Sequence, residues 1–218
     1  MSTDPNGGRT SRSRGRPRLE IDRDAVADAV ADLFAEGGIE AVSIADTAEK
    51  LSVSRATLYR TVPTKEKLLG ILFERSTREL TERTDAVLAA TSEPSDQLVE
   101  LIKLQAEAAI QMRSYMPVFF GGGGLPSDVF MRWRKWSRQF EKRWSVVVSA
   151  CMDAGVLDKT DPVVATRLIL GMIISVSRWY RPSKKISAEE IADSAITLLR
   201  LRLPGVRSSR LPTTNTGR

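Results

Sequence analysis

Histidine is absent from this 218-residue chain, and cysteine occurs once, at Cys151. Zinc sites draw their ligands mainly from imidazole and thiolate groups, so these shortages argue against a structural or catalytic zinc ion. Without an imidazole, no serine or cysteine nucleophile can be activated by a histidine base. A single cysteine cannot form an intramolecular disulfide, which suits a reducing compartment. We therefore expect a protein that is not an enzyme and that holds no metal ion or cofactor.

Long uninterrupted apolar runs are also scarce. The N-terminus is polar and rich in arginine, and nothing in it resembles the apolar stretch of a signal peptide. The longest apolar region, residues 163–180, contains Arg167 and Arg178, which favours a buried helix over a membrane span. With 42% hydrophobic residues, the chain can still bury a substantial core. These features predict a cytoplasmic globular protein with no membrane partner.

The charge that is present is positive, at a formal +6. This sign favours a polyanionic partner such as nucleic acid, although an anionic membrane surface or an acidic small molecule would also fit. Residues 1–20 are rich in Ser, Gly, Pro and Arg and are predicted to form a disordered basic arm. Arg14 and Arg16 in this arm are candidate contacts to phosphates or to a minor groove. The alternative is a solvated tail, which is also what we predict for residues 204–218.

Residues 21–66 contain start and stop signals for three short helices. Apolar residues at helical spacing predict a first helix that ends at Gly37-Gly38. Ser43 begins a capping-box pattern for a second helix. Ser54 is a good N-cap for a brief third helix, which Pro63 ends. The spacing leaves only a three-residue turn between the second and third helices.

Two short helices joined by a three-residue turn, with a third helix in support, are typical of a helix-turn-helix. The second helix of such a motif must protrude so that its polar face enters the major groove. We expect Ala56 and Leu58 to point inward from this helix, and an ordinary helical hairpin with a solvated face is the alternative. The candidate DNA contacts in this region are Ser43, Ser54, Arg55, Thr57, Tyr59, Arg60 and Lys65.

Residues 67–203 carry helical signals throughout, with no segment of strand periodicity. A capping box at Ser187 predicts the start of the last helix. The chain is predicted to be interrupted at Pro117 and over residues 121–124. The sequence therefore predicts an all-α fold, with a helix-turn-helix head and a larger helical body for ligand binding and dimerisation. The expected helices of the body after its first one span residues 96–113, 127–154, 162–181 and 187–203.

Two runs in the head resemble the DNA-binding domain of the TetR family of transcriptional regulators. They are residues 51–59, Leu-Ser-Val-Ser-Arg-Ala-Thr-Leu-Tyr, and residues 63–69, Pro-Thr-Lys-Glu-Lys-Leu-Leu. The resemblance implies a homodimeric repressor with a divergent ligand-binding body. It also implies DNA contacts at Ser43, Arg55, Thr57, Tyr59, Arg60 and Lys65.

The sequence departs from the family pattern at three places in the head. Ser52 stands where a turn glycine is common, and Ala56 replaces a frequent glycine of the recognition helix. Thr61-Val62 replaces a pair that usually ends in phenylalanine. These differences bear on base preference rather than on the presence of the motif.

In the family that the head resembles, the last two helices pair with those of a second copy. Both helices of this chain offer faces that fit such an interface. The alternative is that both helices pack into the core of one protomer. The residues of these faces are Leu168, Gly171, Met172 and Ser175 on one helix, and Ile191, Ala195, Leu198 and Leu199 on the other.

Aromatic residues recur at helical spacing after Ser127, and such a stripe forms either core or a ligand pocket. Our hypothesis is an apolar effector pocket with a cation near its mouth for an acidic group. Residues 178–182, Arg-Trp-Tyr-Arg-Pro, and residues 186–190, Ile-Ser-Ala-Glu-Glu, resemble the end of the body in TetR regulators of lipid and CoA-thioester metabolism. This resemblance implies a hydrophobic or acyl/CoA-type effector. The candidate effector contacts are Phe119, Phe120, Trp133, Trp136 and Arg178.

The function we predict is ligand-responsive repression, in which an effector releases the dimer from a near-palindromic operator. One alternative is an architectural DNA-binding protein that has no effector and contacts mainly phosphates. It would show a steep salt dependence and little preference among sequences. A small helical enzyme is a weaker alternative, because no paired carboxylates, metal-ligand spacing or nucleotide loop support it. A membrane-surface protein is weaker still, because only the tryptophan-containing helix after Ser127 combines a long basic face with an apolar face that the core does not need.

Overall fold

The computed structural model describes residues 21–121, 125–182 and 186–199. Within these ranges the chain is helical and contains no strand, which confirms the all-α prediction. The predicted arm with Arg14 and Arg16, and the predicted tail at residues 204–218, lie outside the described residues. The helices are α1 Arg23–Ala41, α2 Ile44–Lys50, α3 Arg55–Thr61, α4 Lys65–Ala90, α5 Pro94–Gln111, α6 Met116–Gly121, α7 Ser127–Asp153, α8 Pro162–Ile174, α9 Val176–Trp179 and α10 Ala188–Leu198.

Side-chain caps begin the helices where the sequence predicts them. The hydroxyl of Ser43 accepts a hydrogen bond of 3.1 Å from the backbone N–H of Asp46, and α2 begins at Ile44, directly after Ser43. Ser54 caps α3 in the same way through the N–H of Thr57, at 3.1 Å. The capping box of α10 is complete, with Ser187 as the cap. Such caps satisfy N–H groups that have no partner inside the helix.

The break in α1 confirms the predicted helix stop. Gly37 and Gly38 both have non-helical backbone angles, and one further turn follows before the chain leaves the helix at Ala41. Gly38 has φ of +68°, which lies in the region that favours glycine. A side chain at Gly37 would place its Cβ 2.9 Å from that of Ala41. This tight reversal turns the chain from α1 toward Ser43.

Two hydrophobic cores form, and α4 belongs to both. The core of the head includes Leu58, Leu72 and Phe73, whereas Leu80 of α4 packs into the core of the body. Burial of each such side chain contributes about 1.5–3 kcal/mol to stability. A continuous helix thus joins the two cores. A boundary between residues 66 and 67 stays a prediction, and it falls just inside this helix.

The body differs from the prediction where prolines and serines shape helix ends. Helix α5 begins at Pro94, two residues earlier than expected. The predicted interruption at Pro117 is wrong, because Pro117 lies in the first turn of α6. A proline is tolerated there because the first N–H groups of a helix have no intrahelical partner. The sequence analysis therefore missed a short helix, and α6 forms part of the site described below.

The predicted helix over residues 162–181 is divided at Ser175 into α8 and α9. The hydroxyl of Ser175 donates to the carbonyl of Met172 at 2.6 Å, and that of Ser177 donates to the carbonyl of Ile174 at 2.8 Å. Side-chain hydrogen bonds of this kind compete with the helical ladder and often accompany a bend.

The segment Pro162–Trp179 is long and apolar enough to cross a membrane by length and composition. Only 33% of this segment is buried, whereas the sequence predicts a buried helix here. One face of α8 packs on α5 and α7, and Arg167 donates to the carboxylate of Glu141 at 2.9 Å. The opposite face exposes apolar side chains. This pattern describes a core helix that has one uncovered apolar surface.

Candidate DNA-binding surface and effector cavity

Helix α3 is anchored by one apolar side chain and leaves its polar residues outside. Leu58 is fully buried in the core of the head. Arg55 and Arg60 are exposed, and the side chain of Tyr59 is 60% exposed. The structure thus presents three predicted DNA contacts on the surface of a short helix. Their contact with DNA itself stays a prediction.

The expectation that Ala56 points inward is wrong. Ala56 is exposed, and it lines a shallow groove on the outer face of α2 and α3 together with Thr57 and Tyr59. Residues two apart on a helix do not share a face, so Ala56 cannot follow the buried Leu58 inward. Because the side chain of Ala56 is small, it forms a depression on the outer surface of α3 that leaves room for a base edge or a phosphate.

The arginines of α3 differ in their ion pairing from two arginines of α1 and α4. Arg23 and Arg78 are held by carboxylates, at 2.7 Å from Glu74 and 2.8 Å from Asp24. Arg55 and Arg60, in contrast, have no ion-pair partner among the residues that the structure describes. Two uncompensated positive charges on a protruding helix suit a polyanion, because phosphate contacts supply much of the affinity for DNA.

The remaining predicted contacts of the head sit at helix starts. The hydroxyl of Ser54 lies 2.7 Å from that of Thr57, so both side chains help to fix the first turn of α3. Ser43 caps α2, and Lys65 is the first residue of α4, with its Nζ 4.0 Å from a carboxylate oxygen of Glu40. Free N–H groups and the helix dipole favour an anion at the starts of helices.

A second feature is a cavity of about 470 Å³ in the body. Residues of α4, α5, α6, α7, α8 and α9 line it, and most of these residues are apolar. The structure brings all five candidate effector contacts to this one cavity. They are Phe119, Phe120, Trp133, Trp136 and Arg178. Their contact with an effector stays a prediction.

Aromatic rings pack against one another along the wall of the cavity. Phe120 meets Trp133 edge to face with ring centroids 5.2 Å apart, and Trp136 stacks on Phe140 at 4.8 Å. The indole N–H of Trp136 donates to Thr81 Oγ1 at 3.0 Å. Phe140 is buried and also belongs to the core of the body, so the aromatic stripe of α7 is both core and cavity wall.

Charged groups border the cavity at its exposed side. Arg167 is paired with Glu141, whereas the exposed Arg178 has no ion-pair partner within the described ranges. A free guanidinium beside an apolar space can bind a carboxylate or phosphate group of a ligand.

Sequence reasoning missed many of the residues that line the cavity, and two of them are buried polar side chains. Tyr115 is buried between the head and the cavity, and its hydroxyl lies 3.1 Å from Ser76 Oγ. Burial raises the pKa of the Tyr115 phenol, so this group is neutral at physiological pH. Gln105 also lines the cavity and is 2% exposed. The signal for Gln105 was present, since it is an amide on the apolar face of α5.

The predicted dimer face is only partly available. Ile191 and Ala195 are buried in the core of the protomer, where α10 packs against α5, so little of either side chain is left for an interface. Gly171 lines the cavity. Leu168 and Leu198, however, are 69% and 73% exposed.

The one cysteine has the environment of a structural residue. Cys151 is buried, and its thiol donates to the carbonyl of Pro94 at 3.1 Å. Burial raises the pKa of this thiol to about 11, so it is protonated at neutral pH and is a poor nucleophile. No cluster of three or more metal-binding side chains occurs in the described ranges.

Family models match both parts of the chain. Residues 27–70 match the model described as bacterial regulatory proteins, tetR family. Residues 91–203 match the model described as tetracyclin repressor-like, C-terminal domain. The second match alone covers more than half of the chain.

Individual regulators are similar to this chain in sequence or in fold. The HTH-type transcriptional repressor KstR2 of Mycolicibacterium smegmatis is 23% identical over 194 residues, covering 86% of this chain and 92% of that protein. A TetR/AcrR-family regulator of Thermobifida fusca has a TM-score of 0.69 at 25% identity, over 85% of this chain and 98% of that one. AibR in complex with isovaleryl coenzyme A and operator DNA has a TM-score of 0.72 at 18% identity, over 82% and 98%.

The head with its exposed α3, the helical body with its cavity, and the two family matches agree on one assignment. The chain belongs to the TetR family of bacterial transcriptional regulators and is a ligand-responsive DNA-binding repressor.

Proposed function

We propose that this protein acts in the cytoplasm as a non-enzymatic homodimer that binds a near-palindromic operator. In this proposal, α3 of each protomer enters a major groove, where Arg55 and Arg60 contact base edges or phosphates. Tyr59 donates to a phosphate, and Thr57 contacts a thymine methyl group. Ser43, Ser54 and Lys65 contribute at helix starts that face the backbone. The two heads would then lie about 34–36 Å apart, one turn of DNA.

The proposed dimer forms through the uncovered apolar face of α8, α9 and α10. Val164 and Leu168 are four residues apart, which keeps them on one face of α8, and Trp179 lies at the end of α9. All three are exposed, and Leu198 of α10 adds a fourth exposed apolar side chain. A second copy of the same face would remove these side chains from water, as expected for a two-fold interface.

The effector in this proposal is a small hydrophobic or acyl/CoA-type molecule that enters the cavity. An aromatic, mostly apolar lining supports a hydrophobic moiety, and Arg178 supports an acidic group at the exposed side. AibR, a protein of the same fold, has been crystallised with isovaleryl coenzyme A.

The observation that carries the proposal is that cavity and head share residues. Phe73, Tyr115 and Phe119 line the cavity, and all three also belong to the core of the head. A ligand that repacks these rings changes the support of α1 and α4. It can therefore favour a spacing of the two heads that no longer fits the operator. Such a switch requires that the effector bind the two states with different affinity.

Fluorescence anisotropy tests the proposal with the DNA upstream of the gene and a scrambled duplex, across a salt series. We expect a preference for the upstream DNA of about a thousandfold or more. A screen of aromatic, acyl and CoA-type compounds follows, with thermal shift as the first readout and release of the operator as the second. Equal and salt-sensitive binding to both duplexes, together with failure of a random-sequence selection to enrich a site, would support the architectural alternative instead.

A further inference from the structure

One buried amide on the wall of the effector cavity has an oxygen without a hydrogen-bond partner in the described residues. Gln105 of α5 is 2% exposed and lines the cavity. Its Oε1 makes no hydrogen bond within the described part of the chain. Buried polar groups are nearly always hydrogen-bonded, because leaving one unpaired costs free energy. An amide in this position therefore calls for a specific explanation.

The surroundings of Gln105 show that packing alone does not explain the amide. Its neighbours in sequence on α5, Leu101, Ile102, Leu104 and Ala108, are all buried apolar residues of the body core. Leucine or methionine at this position would match them in character and volume. Gln105 is thus a polar group placed where the fold itself would accept an apolar one.

Two further unpaired polar atoms lie close along the chain to residues of the same cavity. Thr84 follows Leu80 of α4 by one helical turn, and Trp144 follows Phe140 of α7 by one turn. Leu80 and Phe140 both line the cavity. The Oγ1 of Thr84 and the Nε1 of Trp144, like Gln105 Oε1, are buried without a partner in the described residues. Three helices that enclose the cavity thus each carry at least one unsatisfied polar atom, and α4 carries a second, Arg75 Nε.

We infer that the effector carries a hydroxyl group that hydrogen-bonds to Gln105 at the buried side of the cavity. This inference rests on the proposed function, since it specifies the ligand of the proposed effector site. Oε1 can only accept, so the ligand must supply a donor. A charged donor would lose its hydration without a counter-ion there, whereas a hydroxyl is neutral. A hydroxyl can also accept from the Nε2 of the same amide, so it pairs with either orientation of the side chain.

The other polar contact of the effector is at the exposed side of the cavity, where Arg178 has no ion-pair partner in the described ranges. The ligand class is then a hydroxy acid with an apolar body between the two polar ends. Gln105 binds the hydroxyl, the aromatic side chains of α6 and α7 enclose the body, and Arg178 binds the acidic end. A site built to hydrogen-bond a hydroxyl rejects an analogue that lacks it, because its own polar group is left unpaired.

Two matched probes test this assignment by isothermal titration calorimetry on the full chain without DNA. They are p-hydroxycinnamic acid and p-methylcinnamic acid, which share the ring and the carboxylate and differ only in hydroxyl against methyl. We expect the wild type to bind the hydroxy acid at least about tenfold more tightly. In Gln105→Leu the preference is expected to vanish, because the leucine offers no hydrogen bond. Gln111→Leu, on an exposed part of the same helix, is the matched control and should keep the preference.

Each result has a defined meaning. A wild type that binds both acids equally, a preference that survives Gln105→Leu, or binding of neither acid at millimolar concentration overturns the assignment. The proposed repressor function is judged separately, by the operator measurement, which requires neither probe. Thermal melting should show Gln105→Leu to be at least as stable as the wild type. If that variant does not fold, Gln105→Met provides the same test with a side chain of similar shape.

Discussion

Tyr115 and Phe34 hold their ring centroids 6.0 Å apart, which places a residue of the loop before α6 against the first helix of the head. The same tyrosine packs edge to face on Phe119 of the cavity wall at 5.9 Å. One aromatic ring therefore contacts both the DNA-binding head and the wall of the cavity. Packed side chains, and not only the backbone, therefore connect the DNA-binding head to the effector cavity.

Replacement of Tyr115 should weaken the coupling between the sites. We expect Tyr115→Leu to bind operator and effector but to lose about 0.5–2 kcal/mol of the coupling free energy between them, because the ring contact to Phe34 is removed. Anisotropy of labelled operator, with and without an effector from the screen, measures this quantity. Tyr180→Leu, a partly buried tyrosine of the body, is the control. Unchanged release by effector in Tyr115→Leu would show that coupling takes another route.

Substitutions on α3 should weaken operator binding without affecting assembly. We expect Arg55→Ala and Tyr59→Ala each to lose about 1–3 kcal/mol of binding free energy, because each removes a base or phosphate contact. Anisotropy gives the affinity, and analytical ultracentrifugation checks that the dimer persists. Arg138→Ala, an exposed arginine of α7, should bind as the wild type does. Wild-type affinity in both α3 variants would mean that α3 is not the recognition helix.

A glycine at position 52 should stabilise the head. Ser52 has φ of +53°, a left-handed conformation that costs an L-residue free energy, and it lies in the turn between α2 and α3. We expect Ser52→Gly to raise the free energy of unfolding by about 0.5–1 kcal/mol in urea denaturation. Ser194→Gly, within α10, should instead lower it by a similar amount. Destabilisation by Ser52→Gly would show that the serine side chain has a compensating role.

The buried thiol should make stability depend on alkaline pH. Burial raises the pKa of Cys151 from its ordinary value of 9.0 to about 11. The contribution of the thiol to the free energy of unfolding is therefore complete below pH 9. It is lost as pH rises toward 11, because the thiol loses its proton at lower pH in the unfolded chain than in the folded chain. We expect wild type to lose about 2–3 kcal/mol relative to Cys151→Ala across this interval in denaturation experiments. A constant difference between the two proteins would contradict this account.

A charge on the uncovered face of α8 should prevent dimer formation. We expect Leu168→Glu to sediment as a monomer and to lose most of its operator affinity, since one head buries too little surface for tight specific binding. The helical content by circular dichroism should not change, because the side chain of Leu168 is exposed. Val146→Glu, at an equally exposed apolar position of α7, should remain dimeric. A dimeric Leu168→Glu would place the interface elsewhere.

The amino-acid sequence alone determined most of the helices and the character of the head. The sequence predicts helix starts at Ser43, Ser54 and Ser187, and each of these residues caps a helix in the structure. The hydrogen bonds involved join residues three positions apart, so short sequence patterns contain the whole interaction. Apolar spacing identified Leu58 as the inward anchor of α3 for the same local reason. The family resemblance of the head followed from residues within these local patterns.

The tertiary structure decided which surfaces face each other. Ile191 and Ala195 have the spacing of an interface, but α5 covers them within the protomer. The cavity joins aromatic residues of α6 and α7 to Gln105 of α5, a combination that no local pattern contains. Helical periodicity specifies that a face is apolar but not which partner covers it, because that depends on helix crossings between segments far apart in the chain. A cavity is the space that those crossings leave unfilled, and only the packed fold defines it.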